Sequence, residues 1–244
     1  MEKFILRASV CKSEQLNIAL DIPEFDYVIA PIKALEKNSS QISRIIVNPP
    51  IFLGSHEKKL THELKRLRQR GFERMAVHTI DHIALAKSLG FIPHGSFRLN
   101  ITNRLALAEY IKMGIVDSLC AVEFKINNSR VADIPVGVLV YGAIPLMVTR
   151  RCPVSDNKVC GARGCKKYIT DRKANKLFLT CDTACEILNP DVLWLADKLE
   201  RLKSFSFLQL NFGVKDDVRK ITNAYLNGDK PQIKNFTRGA YFKV

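Results

Sequence analysis

The 244-residue sequence has no run of about 18 apolar residues, the length that crosses a bilayer as a helix, so no membrane-spanning helix is expected. Its N-terminus, MEKFILRASVCKSEQLNIAL, lacks a cationic start followed by a clean apolar block and a small-residue cleavage site, so no secretion signal is read there. Several catalytic signatures are missing. There is no G-x-S-x-G elbow, no Walker A loop and no G-x-G-x-x-G turn, which removes the sequence marks of an α/β-hydrolase, a P-loop nucleotidase and a dinucleotide-binding unit. His62–Glu63 continues as Leu-Lys-Arg and fails as an H-E-x-x-H zinc helix. No repeat of roughly 20 to 50 residues and no low-complexity segment appears, which argues against a solenoid. All five histidines precede position 95. Acidic residues are scarce, 24 against 38 Lys and Arg, giving a net charge of +14 and a pI near 9.6. That charge directs attention to a polyanionic partner, with a basic protein lacking such a partner as the plain alternative.

What is present is concentrated in residues 151–185, RCPVSDNKVCGARGCKKYITDRKANKLFLTCDTAC. Five of the seven cysteines lie here: Cys152, Cys160, Cys165, Cys181 and Cys185. From Arg150 to Thr180 there are nine Lys or Arg against two Asp, a net +7 and half of the charge of the chain. A cytoplasmic location is expected, where thiols stay reduced and clustered cysteines point to metal or redox chemistry more than to a disulfide framework. The spacing is C-x7-C-x4-C-x15-C-x3-C. A structural zinc site shows two short knuckles, and only Cys160/Cys165 and Cys181/Cys185 approach that. With every histidine upstream, a local Cys/His site is excluded. Four thiolates suit an iron–sulfur cluster or zinc, and free thiols remain a third reading. Neighbouring Lys and Arg would lower thiol pKa and would equally attract phosphate.

Strand-like and helix-like stretches alternate along the whole chain. Residues 3–10, 27–30, 44–48, 74–78, 91–100, 118–122, 136–141 and 207–210 read as strands. Helical spacing or capping marks the stretch after Ser13, a turn over 32–37, and helices over 58–70, 80–89, 103–113, 191–203 and 214–226. The tail 229–244 reads as irregular. Eight alternations favour a TIM-like (β/α)8 barrel, one domain over residues 1–244 with the cysteine-rich basic segment inserted after strand seven. An open doubly wound sheet is the runner-up. In a barrel the strand C-termini form the active face, which nominates Asn48, His78, Asn100, Asn103, Glu123, Tyr141 and Asn211. The plain readings are capping for Asn100 and Asn103, and solvent contact for Glu123. His78 and His82 would share a helix face at i, i+4, but a helix start at Thr79 fits better than a metal pair.

LNITN (residues 99–103), YGAIPLMVTRRCP (141–153), the C-x4-C pair ending in CKK, LTCD near Cys181, EILN (186–189) and the terminal FTRG (236–239) resemble the collagenase-like peptidase family of unknown catalytic type (class U, family thirty-two). The resemblance runs over most of the chain and is strongest from Phe97 to Asn189. It implies a β/α barrel. For several members it implies a four-iron four-sulfur cluster and oxygen-independent hydroxylation of tRNA, of ribosomal RNA or of a ubiquinone precursor; others carry a protease label. The matching cysteines are Cys152, Cys160, Cys165 and Cys181, with Cys185 an extra thiol. On this reading Arg150, Arg151, Arg163, Lys166 and Lys167 bind the anionic substrate, RNA or a small anionic aromatic, and Asn100, Glu123 and Tyr141 line the pocket. A partner subunit is also expected, because most members are longer. A zinc-holding RNA- or protein-binding module and a peptidase are the alternatives. The Gly-Ala-Asp stretch that many members carry in the second strand is replaced here by Phe25-Asp26-Tyr27.

Overall fold

The computed structural model describes residues 4–36, 40–51, 57–125, 134–150, 152–154, 168–172, 174–181, 184–231 and 233–242. Its frame is set by short apolar strands. In chain order these are β1 (Leu6–Ser9), β2 (Phe25–Pro31), β3 (Ile45–Asn48), β4 (Arg74–Val77), β5 (Ile92–Gly95), β6 (Asp117–Leu119) and β7 (Val136–Thr149). Each pairs in parallel with the next. After an excursion, β11 (Phe207–Asn211) enters between β7 and β1, parallel to both. Among the described residues, eight parallel strands therefore close into a β/α barrel.

The helices follow from local signals. α1 (Ser13–Leu20) and α2 (Ile32–Leu35) follow β1 and β2. In α3 (Glu57–Gln69), Leu60, Leu64 and Leu67 form one buried stripe, and Lys and Arg dominate the rest of the surface. α4 (Ile80–Ser88) starts at Thr79, whose hydroxyl accepts from the His82 amide. α5 (Arg104–Met113) starts at Asn103, whose side chain accepts from the Ala106 amide at 2.9 Å. α6 (Val218–Asn227) is capped in the same way by Asp217. The main core lies between strands and helices. A small second cluster of Ile29, Ile46 and Ala76 with Tyr27 uses the alternate positions of β2, β3 and β4, and so fills the barrel lumen.

The excursion between β7 and β11 is a β-sheet built on β7. Sequence reading ends that strand at Tyr141, but it runs on to Thr149 and out of the barrel. There it pairs antiparallel with β10 (Cys185–Trp194), which pairs with β9 (Lys176–Cys181), which pairs with β8 (Tyr168–Thr170). The helix expected over 191–203 is absent. Residues 191–194 complete β10 instead, and only Ala196–Leu202 winds, as a 3-10 turn. The apolar spacing was compatible with a helix. However, Val192 and Leu193 find partners on both sides, Ala143 and Gly142 of β7 and then Phe236 and Thr237 of β12 (Phe236–Thr237). The tail read as irregular thus supplies a strand. In its FTRG, Arg238 pairs with Asp197 and donates to the Trp194 carbonyl at 2.6 Å.

β7 leaves the barrel at Gly142, with φ of +124°. A Cβ there would sit 2.4 Å from the Asn211 carbonyl oxygen at the end of β11. Both features select glycine. Gly142→Ala should lower unfolding free energy by roughly 2–4 kcal/mol, combining backbone strain with overpacking. Gly71→Ala, with φ of +96° but open space around it, isolates the strain alone and should cost about half as much. Urea unfolding of both variants tests this; equal losses would show that the Asn211 contact is unimportant.

Candidate functional site

At the C-terminal mouth, β3, β4 and β5 are tied by one imidazole. His78, buried just past β4, has Nδ1 2.9 Å from Ser96 Oγ and Nε2 2.9 Å from Asn48 Oδ1. Ser96 Oγ also accepts from the Arg98 amide, so its own proton is directed to His78 Nδ1. Nε2–H then donates to Asn48. The His78 amide donates to Nδ1 of the fully buried His82. Burial, above all, lowers both imidazoles: His82 to about 4, and His78 well below its ordinary value with help from His82 and the Arg98 guanidinium. Both rings are neutral at pH 7.

Ser96, His78 and Asn48 have the connectivity of a nucleophile, a base and an orienting group. The electrostatics run against that use. A base whose proton affinity is held this low draws little from a serine hydroxyl. The network acts as a brace that fixes three strand ends.

Above this brace, β10 crosses the mouth. Glu186 of β10 pairs with Arg98, which follows β5, and both side chains are largely buried, at 18% and 16% exposure. Cys11, past the end of β1, donates its thiol to the Phe212 carbonyl at 3.1 Å. The residue as a whole is exposed, but partial enclosure of the sulfur raises the thiol, with Asp216 and Glu186 adding to the effect. Cys11 is therefore a neutral thiol at pH 7. Asp216 Oδ2 accepts from the Tyr141 hydroxyl at 2.9 Å and from the Gly213 amide at 2.7 Å.

The residues nominated from sequence are distributed as follows. Tyr141 is buried against Trp194, Phe212 and Tyr225, and reaches the mouth only through its hydroxyl on Asp216. Burial and Asp216 raise its pKa far up. Asn100 is exposed and adopts a left-handed conformation, φ 54°, closing the turn Phe97–Leu99. Asn103 caps α5. Glu123 is exposed in a turn after β6, not on a strand. Arg150 follows the end of β7, and Cys152 is a half-buried free thiol two residues on. Arg151, Cys160, Arg163, Cys165, Lys166 and Lys167 lie outside the described residues. Cys181 is bonded to Cys185, so Cys185 is no bystander. Thr149, Cys185 and Cys181 form one row across β7, β10 and β9. Cys152 follows Thr149 by three residues in the sequence. Sequence reasoning missed Ser96, Arg98, Glu186, Cys11 and Asp216. The EILN motif contained Glu186, but nothing local linked it to Arg98, 88 residues away.

No protein-family model matches the chain, and no curated protein matches it. Among solved structures, the U32 peptidase Mk0906 superimposes with a TM-score of 0.52 at 10% identity, covering 88% of this chain and 94% of that one. The chain has the fold of a U32 peptidase. A structure described as a fructose-1,6-biphosphate aldolase from Coccidioides immitis matches at a TM-score of 0.43 and 9% identity, over 93% of this chain and 85% of that one, and nothing further rests on it.

Two outcomes are expected at the mouth. A double-mutant cycle on Arg98→Ala and Glu186→Ala should give a coupling of about 1–3 kcal/mol in urea unfolding; additive losses would mean that the pair does not hold β10 down. Because folding lowers the pKa of His82, the unfolded chain takes up its proton first. Stability is then complete above about pH 6.5 and is lost as pH falls toward about 4, by roughly 3 kcal/mol. His82→Gln should flatten that slope in denaturation curves taken at pH 7 and pH 4.5.

Proposed function

We propose that this chain is an iron–sulfur enzyme, or the subunit of one, of the collagenase-like peptidase type. Its reaction centre would be the C-terminal mouth, its substrate RNA or a small anionic aromatic, its chemistry oxygen-independent hydroxylation, and its location the cytoplasm. The observation that carries this is the path of β7. It runs unbroken from the barrel wall into the sheet that carries Cys181 and Cys185, which supports a reaction centre at the C-terminal face where barrels do chemistry.

The sulfur donors are of the right kind for such a group, and Cys181 and Cys185 face each other on neighbouring strands of the extension. Among the described residues, no three His, Cys, Asp or Glu side chains are already arranged around a cation. Cys152 is free, and Cys181 becomes a ligand once its bond to Cys185 is reduced. Cys160 and Cys165 would complete the set. When bound, the cluster would supply one-electron chemistry. The chain's own residues do the rest. Arg150, with Arg151, Arg163, Lys166 and Lys167, would hold the anionic part of the substrate. The Arg98–Glu186 pair holds the roof in place, and the neutral His78 brace keeps the floor fixed without adding charge. Asn100 and Glu123 would contact the substrate, and Tyr141 would act through Asp216.

The disulfide favours one second reading, a non-catalytic basic module that binds RNA or protein and whose remaining thiols hold zinc or nothing. A peptidase is disfavoured by the low basicity of His78.

The experiment is anaerobic purification under reductant, followed by iron, sulfide and zinc analysis and an ultraviolet–visible spectrum. Brown protein with a broad charge-transfer band is expected, lost in Cys152→Ala and Cys181→Ala but kept in Cys185→Ala. Colourless protein carrying zinc would instead establish the module, as would RNA bound with steep salt dependence but returned chemically unchanged.

A further inference from the structure

The opposite, N-terminal mouth of the barrel holds a second cluster that the C-terminal site does not use. Arg7 of β1, His94 of β5 and Asp117 of β6 are each more than nine-tenths buried. Arg7 pairs with Asp117 at 2.8 Å, and His94 Nδ1 lies 2.9 Å from the same carboxylate oxygen. Burial would raise the Asp117 pKa, but His94 and Arg7 together hold it below the ordinary value, so the carboxylate is ionised. Three atoms of this cluster are buried with no partner: Arg7 Nε, His94 Nε2 and Asp117 Oδ1. An unmet buried polar atom is destabilising, and three lie within this one cluster. A polar guest that satisfies them would relieve that cost.

All three residues line a cavity of about 440 Å³ that opens at this mouth. A water fills about 30 Å³ of liquid, so the space suits something larger than one bridging water. Its walls are mainly apolar and flat. Arg7 stacks 3.6 Å from the Phe207 ring centroid and 5.0 Å from that of Tyr27, and Arg74 stacks on Tyr27 at 4.9 Å. Phe207 fits because Gly137 opposite has no side chain: a Cβ there would lie 2.3 Å from the ring. The charges around the cavity already offset one another, Arg7 and Arg74 against Asp26 and Asp117, so a charged guest would add an unmatched charge.

We infer that the N-terminal mouth binds a small, uncharged, planar heterocycle in which an N–H donor adjoins a C=O acceptor, the hydrogen-bonding edge of a cyclic amide or imide. Its carbonyl accepts from Arg7 Nε–H. Its N–H donates to Asp117 Oδ1, the unmet oxygen of the ionised carboxylate. The ring lies against the apolar walls of the cavity, beside the half-buried Tyr27. The guest reaches the cluster by displacing the contact between Arg7 and Asp26, which is long at 3.9 Å and involves an aspartate whose side chain is 46% exposed at the rim.

Uracil is the probe, in saturation-transfer NMR and calorimetry on the whole chain. 1,3-Dimethyluracil keeps the shape and the carbonyls but has no N–H, and benzoate keeps a ring but adds charge. Saturable uracil binding is expected, with dimethyluracil and benzoate each weaker by about tenfold or more, in line with the cost of leaving the buried acceptors unmet. Val116→Trp, at a rim position 41% exposed, should fill the cavity and weaken uracil about tenfold or more without lowering Tm. Should that variant fail to fold, the His94 imidazole nitrogen shifts of the wild-type chain must still move on uracil addition. No saturable binding, equal binding of dimethyluracil, tighter binding of benzoate, undiminished binding to the filled variant, or unmoved His94 resonances would each overturn the assignment.

Discussion

One strand, β7, must pair in parallel along its first half and antiparallel along its second, and the architecture depends on how it does so. Its first half closes the barrel, parallel to β6 and β11. Its second half is the antiparallel spine of the extension, paired with β10. Parallel and antiparallel ladders present their hydrogen bonds differently. The change occurs near Tyr141–Gly142, where the β7–β11 register shifts and φ turns positive. Tyr141 is turned into the aromatic cluster of Trp194, Phe212 and Tyr225, and Gly142 lets the chain pass the end of β11. Trp194, which ends β10, pairs with Tyr141 and so ties the return strand to the same bend. The place where cysteines are presented is therefore fixed by the same residues that close the barrel.

The two mouths of the barrel handle buried polarity in opposite ways. At the C-terminal mouth, His78 is satisfied on both ring nitrogens and neutral, although Nε2 of His82 beside it is unmet, and the ion pair of Arg98 and Glu186 sits above it. At the N-terminal mouth, charge is kept inside and hydrogen-bonding capacity is left open. A satisfied neutral network rigidifies, whereas an unsatisfied one is a liability unless something fills it. This contrast explains why the upper polar cluster is read as a brace and the lower one as a site, although each contains a histidine in contact with an oxygen acceptor.

The barrel itself was legible because each of its eight strands is short and apolar or alternating, with a helix or turn signal after most of them. His78 and Asn48 were legible as strand ends, and Asn103 as a cap. What stayed hidden depends on pairing at long range. The stretch after Asp191 carries apolar residues at helical spacing, and only the presence of β7 on one side and β12 on the other makes it a strand. Glu186 and Arg98 have no local sign of each other. Phe25-Asp26-Tyr27 looked like a departure from a familial motif; in the folded chain it puts a carboxylate and a ring at the N-terminal mouth.

The cysteine row sharpens what the sequence alone left open. The family resemblance separated four candidate ligands from one extra thiol, but a sheet brings residues together by register, and register sets Cys181 directly opposite Cys185. Two sulfurs so placed bond each other, and under the proposed function they would have to be reduced and deprotonated to bind a cation. Which state holds is then set by the redox poise of the surroundings, not by the fold. The strand that carries this row is built into the barrel, so the thiol–disulfide choice is made on a fixed part of the fold.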